Sequence, residues 1–379
     1  MKKLIALLLA AVMLFALVAC TSSAPATETP AATETPAATE TPATETPATE
    51  TPATTDTEGA VKTDEISADA DAAALGIPAA VVLQDTDVLK GKKLGCSICY
   101  KGDEWCAALA QALEALGKYY GADLVCEDGD LNDETQTKQI ENMIANGCDA
   151  IMVDPITPDG STTALNKAVD AGIPIIIYDG YWTEGAEKAV TTVTWDQKAT
   201  GTLIGEYFVN YVKEHNDGKA RVVELTNAVS THCQERFVGL HEVIDAANAD
   251  GCQIEILNKY DSQGNRETAY NAISAIVEPY DYVISDVDNG AMGAVSALQA
   301  TGNTTVKVLS MGAYGQEPFG MLHNNDVNYL ACLNVDAWVL AQFIFDGTIA
   351  YFEGKEVPTQ TNIDLFVVDN SNVEKFWSF

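Results

Sequence analysis

The chain has 379 residues and carries 55 acidic against 21 basic side chains, a formal net charge of −34. That balance excludes a nucleic-acid binder, because no basic stripe exists to displace phosphate counterions, and it excludes direct adhesion to anionic lipid. Beyond the first sixty residues, the length suits either one large α/β unit or two lobes of ordinary domain size.

Lys2 and Lys3 precede an unbroken apolar run over 4–19 that ends at Cys20. The run is shorter than the roughly 18 or more residues of a spanning helix, and it reads as an export signal. Its ending, Leu17-Val18-Ala19-Cys20, resembles a bacterial lipoprotein signal. The resemblance implies that 1–20 is a signal peptide, that Cys20 carries lipid, and that the protein is anchored at the outer face of the cell membrane. A soluble secreted protein with an incidental Cys20 is the alternative. From 21 to about 58 the chain repeats Thr-Glu-Thr-Pro-Ala without an aromatic or large aliphatic side chain. Such a segment has nothing to bury, and spaced prolines with repelling glutamates make 21–62 a stiff, solvated tether.

The folded part opens with a strand over 93–100. A helix follows from Trp105, with apolar Leu109, Ala112, Leu113, Leu116 and Tyr120 at helical spacing, and then a strand over 123–126. Further strands are expected over 150–153, 173–178, 189–194, 221–225, 254–260, 282–285, 306–311 and 329–333, with helices between most of them. The alternation predicts α/β architecture with parallel sheets and crossover helices. Ten or more parallel strands exceed one comfortable sheet, so two doubly wound lobes are expected, their strand carboxyl ends forming the ligand crevice.

The loops at those ends share a chemistry. Tyr100, Asp103 and Trp105 follow the first strand. Asp179, Tyr181 and Trp182 follow the fourth, and Trp195 and Asp196 the fifth. Later, Arg236 follows a loop holding Asn227 and Ser230, Asp288 and Asn289 begin a helix, and Tyr314 and Asn334 end their strands. Aromatic faces beside planar polar groups suit a small polyol, whose C–H surface stacks while its hydroxyls require directional partners. For several of these residues a plain structural role competes: Trp105 as core cover, Asp179 with Arg236 as an ion pair, Asp288 as a helix cap.

Setting Cys20 aside leaves eight cysteines. An even number in an exported chain invites disulfides, yet most sit in apolar strand or helix patterns, as small buried hydrophobes do. Cys96 and Cys99 form a C-x-x-C along a strand, which aims the two thiols at opposite faces and argues against a redox or zinc pair. His232, beside Cys233, has no partner at metal-ligand spacing and reads as a loop histidine. No phosphate-binding loop, no nucleophile elbow and no matched acid and base appear, so no catalytic residue, metal or cofactor is expected.

Over about 93–368 the chain resembles the type I periplasmic sugar-binding family, which contains the ribose- and galactose-binding proteins and, by fold, the effector domains of LacI-type repressors. The pieces that carry the resemblance are Gly147-Cys148-Asp149-Ala150-Ile151, Asp154-Pro155, Ala171-Gly172-Ile173-Pro174 leading to Asp179, the helix Gly201 to Phe208, Gln234-Glu235-Arg236 with Gly239, and Asp288-Asn289-Gly290-Ala291-Met292-Gly293-Ala294. It implies a domain over 90–379 whose lobes are joined by three hinge crossovers near Trp195-Asp196, Asn334 and 360–362. The N-lobe would then comprise about 90–195 and 335–360, and the C-lobe about 196–334 and 361–379. It also implies that Trp105 stacks on a sugar ring and that Asp179, Arg236, Asn334 and Asp103 hold its hydroxyls; the strand-exit reading adds Tyr100, Tyr181, Asp288 and Tyr314 as ligand contacts. Three positions depart from the pattern: Gly180 replaces an arginine, Val287 an asparagine and Gly312 an aspartate, while Tyr181, Trp182 and Tyr314 add aromatic surface.

The implied role is the monomeric ligand-catching subunit of an ABC importer, passing a small sugar-like ligand to a membrane permease while a separate subunit hydrolyses ATP. A sensory protein of the same fold, or a binder of nucleosides or a signalling furanose, is the alternative. A secreted glycoside hydrolase would instead turn its ligand over. A repressor is excluded by the export signal and by the missing helix-turn-helix.

Overall fold

The computed structural model describes residues 68–102, 104–228 and 230–375. The expected signal, Cys20, the tether and Asp103 lie outside the described residues. In chain order the first elements are α1 (Ala68–Ala74), β1 (Lys93–Ile98), α2 (Glu104–Tyr119), β2 (Asp123–Asp128), α3 (Asp133–Ala145), β3 (Ala150–Val153), α4 (Thr162–Asp170), β4 (Ile175–Tyr178) and β5 (Thr191–Thr194). Then come α5 (Gln197–His215), β6 (Lys219–Thr226), α6 (Thr231–Ala249), β7 (Gln253–Asp261), α7 (Arg266–Ser274), β8 (Tyr282–Ser285), α8 (Asp288–Ala300) and β9 (Lys307–Ala313). The chain closes with α9 (Gln316–His323), β10 (Tyr329–Asn334), α10 (Ala337–Phe352), β11 (Gln360–Asn362) and β12 (Val367–Asp369).

Among the described residues these strands make two six-stranded sheets, ordered β11-β5-β4-β3-β1-β2 and β12-β10-β9-β8-β6-β7. All neighbours run parallel except β10 and β12. Helices cover both faces, which is why β3 and β4 are apolar at every position. Ile175 and Ile177 of β4 pack towards α4 with Ile151 and Val153 of β3, whereas Ile176 and Tyr178 join Met152 and helices α2 and α10 on the other face. The two-residue period of the strand splits one hydrophobic run between two cores. The residues expected at helical spacing, Leu109, Ala112, Leu113 and Leu116 of α2 and Tyr120 just beyond its end, are all buried.

The chain changes sheets three times: from β5 into α5, from β10 into α10, and from β11 to β12. Two α/β lobes joined by three crossovers are therefore present, as expected. An aspartate ends each of the first two crossovers by capping the next helix, Asp196 accepting from the Ala199 N–H and Asp336 from those of Trp338 and Val339. Backbone bonds tie the crossovers laterally, Ile363 N–H to the Thr194 carbonyl and Asn334 N–H to that of Phe366.

Two expected boundaries need correction. The first lobe starts before residue 90, because Ala72, Ile77, Val81 and Leu89 are buried in its core and Val82 donates its N–H to Gln342 Oε1. Being short and irregular, this segment shows no periodicity to read. At the other end, 361–362 belong to the first sheet through pairing of β11 with β5, so the third crossover falls at 363–366.

Candidate ligand-binding cleft

Each lobe winds outward in both directions from its first strand, so the topological switch points lie between β1 and β3 and between β6 and β8. The carboxyl ends of these strands meet. Tyr181, after β4, stacks on His232 at the start of α6, with ring centroids 5.4 Å apart, and the Glu104 carboxylate reaches Gly315 beyond β9.

On the first lobe, Trp105 is half-buried in the first turn of α2. Its indole N–H donates to the Val335 carbonyl at 2.9 Å, and its ring meets Trp195 edge-on at 5.8 Å. It thus touches two of the three crossovers. Asp179 sits in the left-handed region (φ 56°), which aspartate tolerates better than most residues. Its N–H donates to the Val193 carbonyl, and its own carbonyl accepts from Thr194 Oγ1. The departure at Gly180 has a steric reason, since a Cβ there would press on Pro155. Tyr100 folds its ring over Gly102. Trp182 does not add surface to the cleft: it is 1 % exposed, packs in the α4 core and donates to Thr162 Oγ1. An aromatic at a strand exit, once its indole N–H finds a hydroxyl below the sheet edge, is a core residue.

On the second lobe, Arg236 is buried. Its Nε donates to Gln197 Oε1 at 2.8 Å and its Nη1 to the Asp286 and Met311 carbonyls. The glycines of α5 and α6 create this arrangement. A Cβ on Gly201 would overlap the Arg236 carbonyl oxygen, and one on Gly239 would overlap that of Lys198, so the two helices approach backbone to backbone. Gln197 lies one turn before Gly201 and Arg236 one turn before Gly239, and close crossing brings the pair together. Gly312 leaves the Arg236 guanidinium without the carboxylate that the family pattern places there; the strand-end carbonyls serve instead. Asp288 is the first residue of α8 and not its cap, which is Val287; its Oδ1 accepts from the adjacent Asn289 N–H and its Oδ2 from the Tyr314 N–H across the β8–β9 ends. Tyr314 packs against the first lobe's core, and burial, then Asp336 and Glu104, raise its phenol above the usual range.

Sequence reasoning missed three residues, Gln197, Asp286 and Glu104, and misplaced a fourth, His232. Gln197 is 1 % exposed and its Nε2 has no hydrogen-bond partner among the described residues. Asp286 is fully buried, which pushes its carboxyl up to about 6 against the pull of Arg236; its Oδ2 accepts from the Asn227 N–H. His232 is not in a loop but in the first turn of α6, its imidazole held below its ordinary pKa by burial and then by Arg236. Glu104 crosses to the other lobe. The facing glycines were the available signal for Gln197; nothing local distinguishes Asp286 from a strand-end carboxylate in solvent.

Partnerless buried polar atoms gather here. Trp195 Nε1, Gln197 Nε2, Asn227 Oδ1, His232 Nδ1 and Asp286 Oδ1 all have no hydrogen-bond partner among the described residues. All five follow strand carboxyl ends or open the helices beyond them. Each such atom costs about 1–3 kcal/mol if left dry, so a region that collects both donors and acceptors of this kind is built for a polar molecule.

Comparison with known proteins agrees with this geometry. Residues 94–356 match the model of the periplasmic binding protein domain. A putative rhizopine-binding protein of Rhizobium meliloti is 30% identical over 246 residues, covering 63% of this chain and 77% of that one. The galactofuranose-binding protein of Escherichia coli K12 is 27% identical, covering 56% and 68%. The periplasmic component of the arabinose ABC transporter from Shewanella sp. ANA-3, solved with L-arabinofuranose, superposes with a TM-score of 0.69 at 22% identity, over 75% of this chain and 94% of that one. With the domain model spanning more than half its length, this chain belongs to the periplasmic binding protein family.

Proposed function

We propose that the protein is the extracytoplasmic, Cys20-anchored receptor of an ABC importer, that it captures a small furanose- or cyclitol-like polyol between its lobes, and that a permease recognises the closed form. The five partnerless polar atoms, flanked by Trp105, Tyr181 and Tyr314, carry this reading, because a polyol offers hydroxyls to both donors and acceptors and C–H faces to the rings. Rhizopine, galactofuranose and arabinofuranose, named for the proteins above, are molecules of this size and polarity. Tyr100, Asp179, Arg236, Asp288 and Asn334 complete the proposed contact set, together with Asp103. Contacts from both lobes favour the closed form over the open one, which is the differential affinity a hinge needs. Binding without turnover is the expected activity.

The test is thermal unfolding against pentoses, hexoses, inositols, amino-inositols and nucleosides. A ligand at 100 times its Kd adds about 2.7 kcal/mol of stability, and Gln197→Ala should abolish the shift while the chain still folds. A nucleoside that stabilises where no sugar or cyclitol does would overturn the ligand class. Conversion of the ligand during incubation would overturn the binding-only role.

A further inference from the structure

We propose that Cys126 and Cys96 are a reversible dithiol–disulfide pair, with Cys126 the attacking sulfur. Cys96 on β1 and Cys126 on β2 are register partners on adjacent parallel strands, so their side chains leave the same face of the sheet. Their Sγ atoms stand 3.3 Å apart. Neighbouring strands lie about 4.8 Å apart, within the Cα separation of about 4.4–6.8 Å that a disulfide spans, so side-chain rotation alone closes the bond. The C-x-x-C of the sequence is thus split: Cys99 lies past the strand end, where its thiol is hydrogen-bonded to that of Cys106.

The two sulfurs differ as attacking and resolving thiols should. Cys96 is fully buried and holds the Tyr178 hydroxyl at 3.2 Å, and burial raises its thiol well above the ordinary range. Cys126 is only partly buried, and Lys101, whose Nζ donates to the Cys126 carbonyl at 2.7 Å, brings its ammonium to the sulfur. The Cys96 hydrogen bond, then Lys101, hold the Cys126 thiol below its usual range against the effect of burial. By contrast, burial pushes Cys233 and Cys332 up to about 12. A partly exposed thiolate beside a cation and a resolving thiol is the arrangement in which thiol–disulfide exchange is fast.

The oxidant is a small-molecule or protein disulfide. Cys126 thiolate attacks one of its sulfurs, forming a mixed disulfide and expelling one thiolate. Cys96 then loses its proton to solvent and attacks Cys126 Sγ, forming the intrachain bond and expelling the second thiolate. Two protein thiols are oxidised and one external disulfide is reduced. Closing the bond also takes the thiolate from Lys101, which lies between Tyr100 and Trp105, so the redox state is transmitted to the loop proposed to hold the ligand.

The full chain, reduced and then exposed to oxidised glutathione at pH 7.5, is quenched by alkylation and mapped by trypsin. The expected product joins peptides 94–101 and 119–138; it persists in Cys99→Ser, and in Cys96→Ser it is replaced by glutathione held on Cys126. In the reduced wild type Cys126 alkylates first, and Lys101→Met slows it several-fold and moves its pH profile upward, a change that a merely structural lysine would not produce. Linkage of Cys99 to Cys106 alone, no product at Cys126, or an unmoved profile in Lys101→Met overturns the proposal.

Discussion

The two ends of the same sheets are built on opposite principles. At the amino ends an aspartate just before a strand answers a cation at the neighbouring strand, by the same device in both lobes. Asp149, just before β3, accepts the Lys93 N–H at 2.8 Å and pairs with Lys92 at 3.0 Å; Asp281, just before β8, accepts from the Arg221 backbone N–H, Nε and Nη2 at 2.8–3.0 Å. At the carboxyl ends Trp195 Nε1, Gln197 Nε2, Asn227 Oδ1, His232 Nδ1 and Asp286 Oδ1 have no hydrogen-bond partner among the described residues. The aspartate pairs are closed by the protein's own groups, whereas the five cleft atoms leave donors and acceptors for something else. Changes at the carboxyl ends should therefore move ligand binding, and changes at the amino ends only stability.

The severest test of the contrast is Gly239→Val. A side chain there overlaps the Lys198 carbonyl, a backbone atom that cannot rotate away, so α5 and α6 must separate. Overpacking of this kind costs about 1–3 kcal/mol and here is expected at or above the upper limit. Separation also parts Gln197 from Arg236, so urea unfolding should show the destabilisation and the ligand-induced shift should vanish in the same variant. Full affinity in a destabilised Gly239→Val would show that helix approach does not position the cleft.

A smaller effect separates site from scaffold. Arg236→Met keeps the volume but leaves Gln197 Oε1 and the Asp286 and Met311 carbonyls without their donor. Hydrogen bonds to a charged group are worth about 1.5–3 kcal/mol, and a net loss of about 2 kcal/mol is expected because removing a buried charge offsets part of it. Calorimetry should find binding lost in a chain that remains folded. Retained binding would make Arg236 a clamp for strand ends and nothing more.

These residues also mark where sequence was informative. The strands from 93 to 333 were legible because short β-type runs alternate with helical ones, most plainly where helices cover both faces and leave β3 and β4 wholly apolar, whereas the crossovers were implied only by the family resemblance. The cleft was legible only in part. Arg236 stands out as a lone cation after an acceptor-rich loop, but Gln197 acts through a helix contact thirty-nine residues away in sequence. Trp182 misled because the difference between a cleft aromatic and a core one is a single hydroxyl, Thr162, on a different helix. Nor did spacing reveal that Cys96 belongs with Cys126, because strand neighbours are decided by the sheet order and not by distance along the chain.

The smallest effect tests the closed end. Asp281→Asn keeps the shape and one acceptor for the Arg221 N–H but removes the charge. Hydrogen bonds from Arg221 hold the Asp281 carboxyl below its ordinary value, with partial burial opposing them. A depressed folded-state pKa means that the stabilisation is present above the unfolded value of about 3.9 and is lost as pH falls below it, towards the folded value. The pair is more than a third exposed on the arginine side, so solvent screening limits it to less than about 1 kcal/mol. Thermal unfolding should therefore show a small loss at pH 7 that fades as pH falls below the ordinary aspartate range, with ligand affinity unchanged throughout. If affinity fell with it, the amino ends would be coupled to the cleft through the strands, and the division of labour between the two ends of each sheet would not hold.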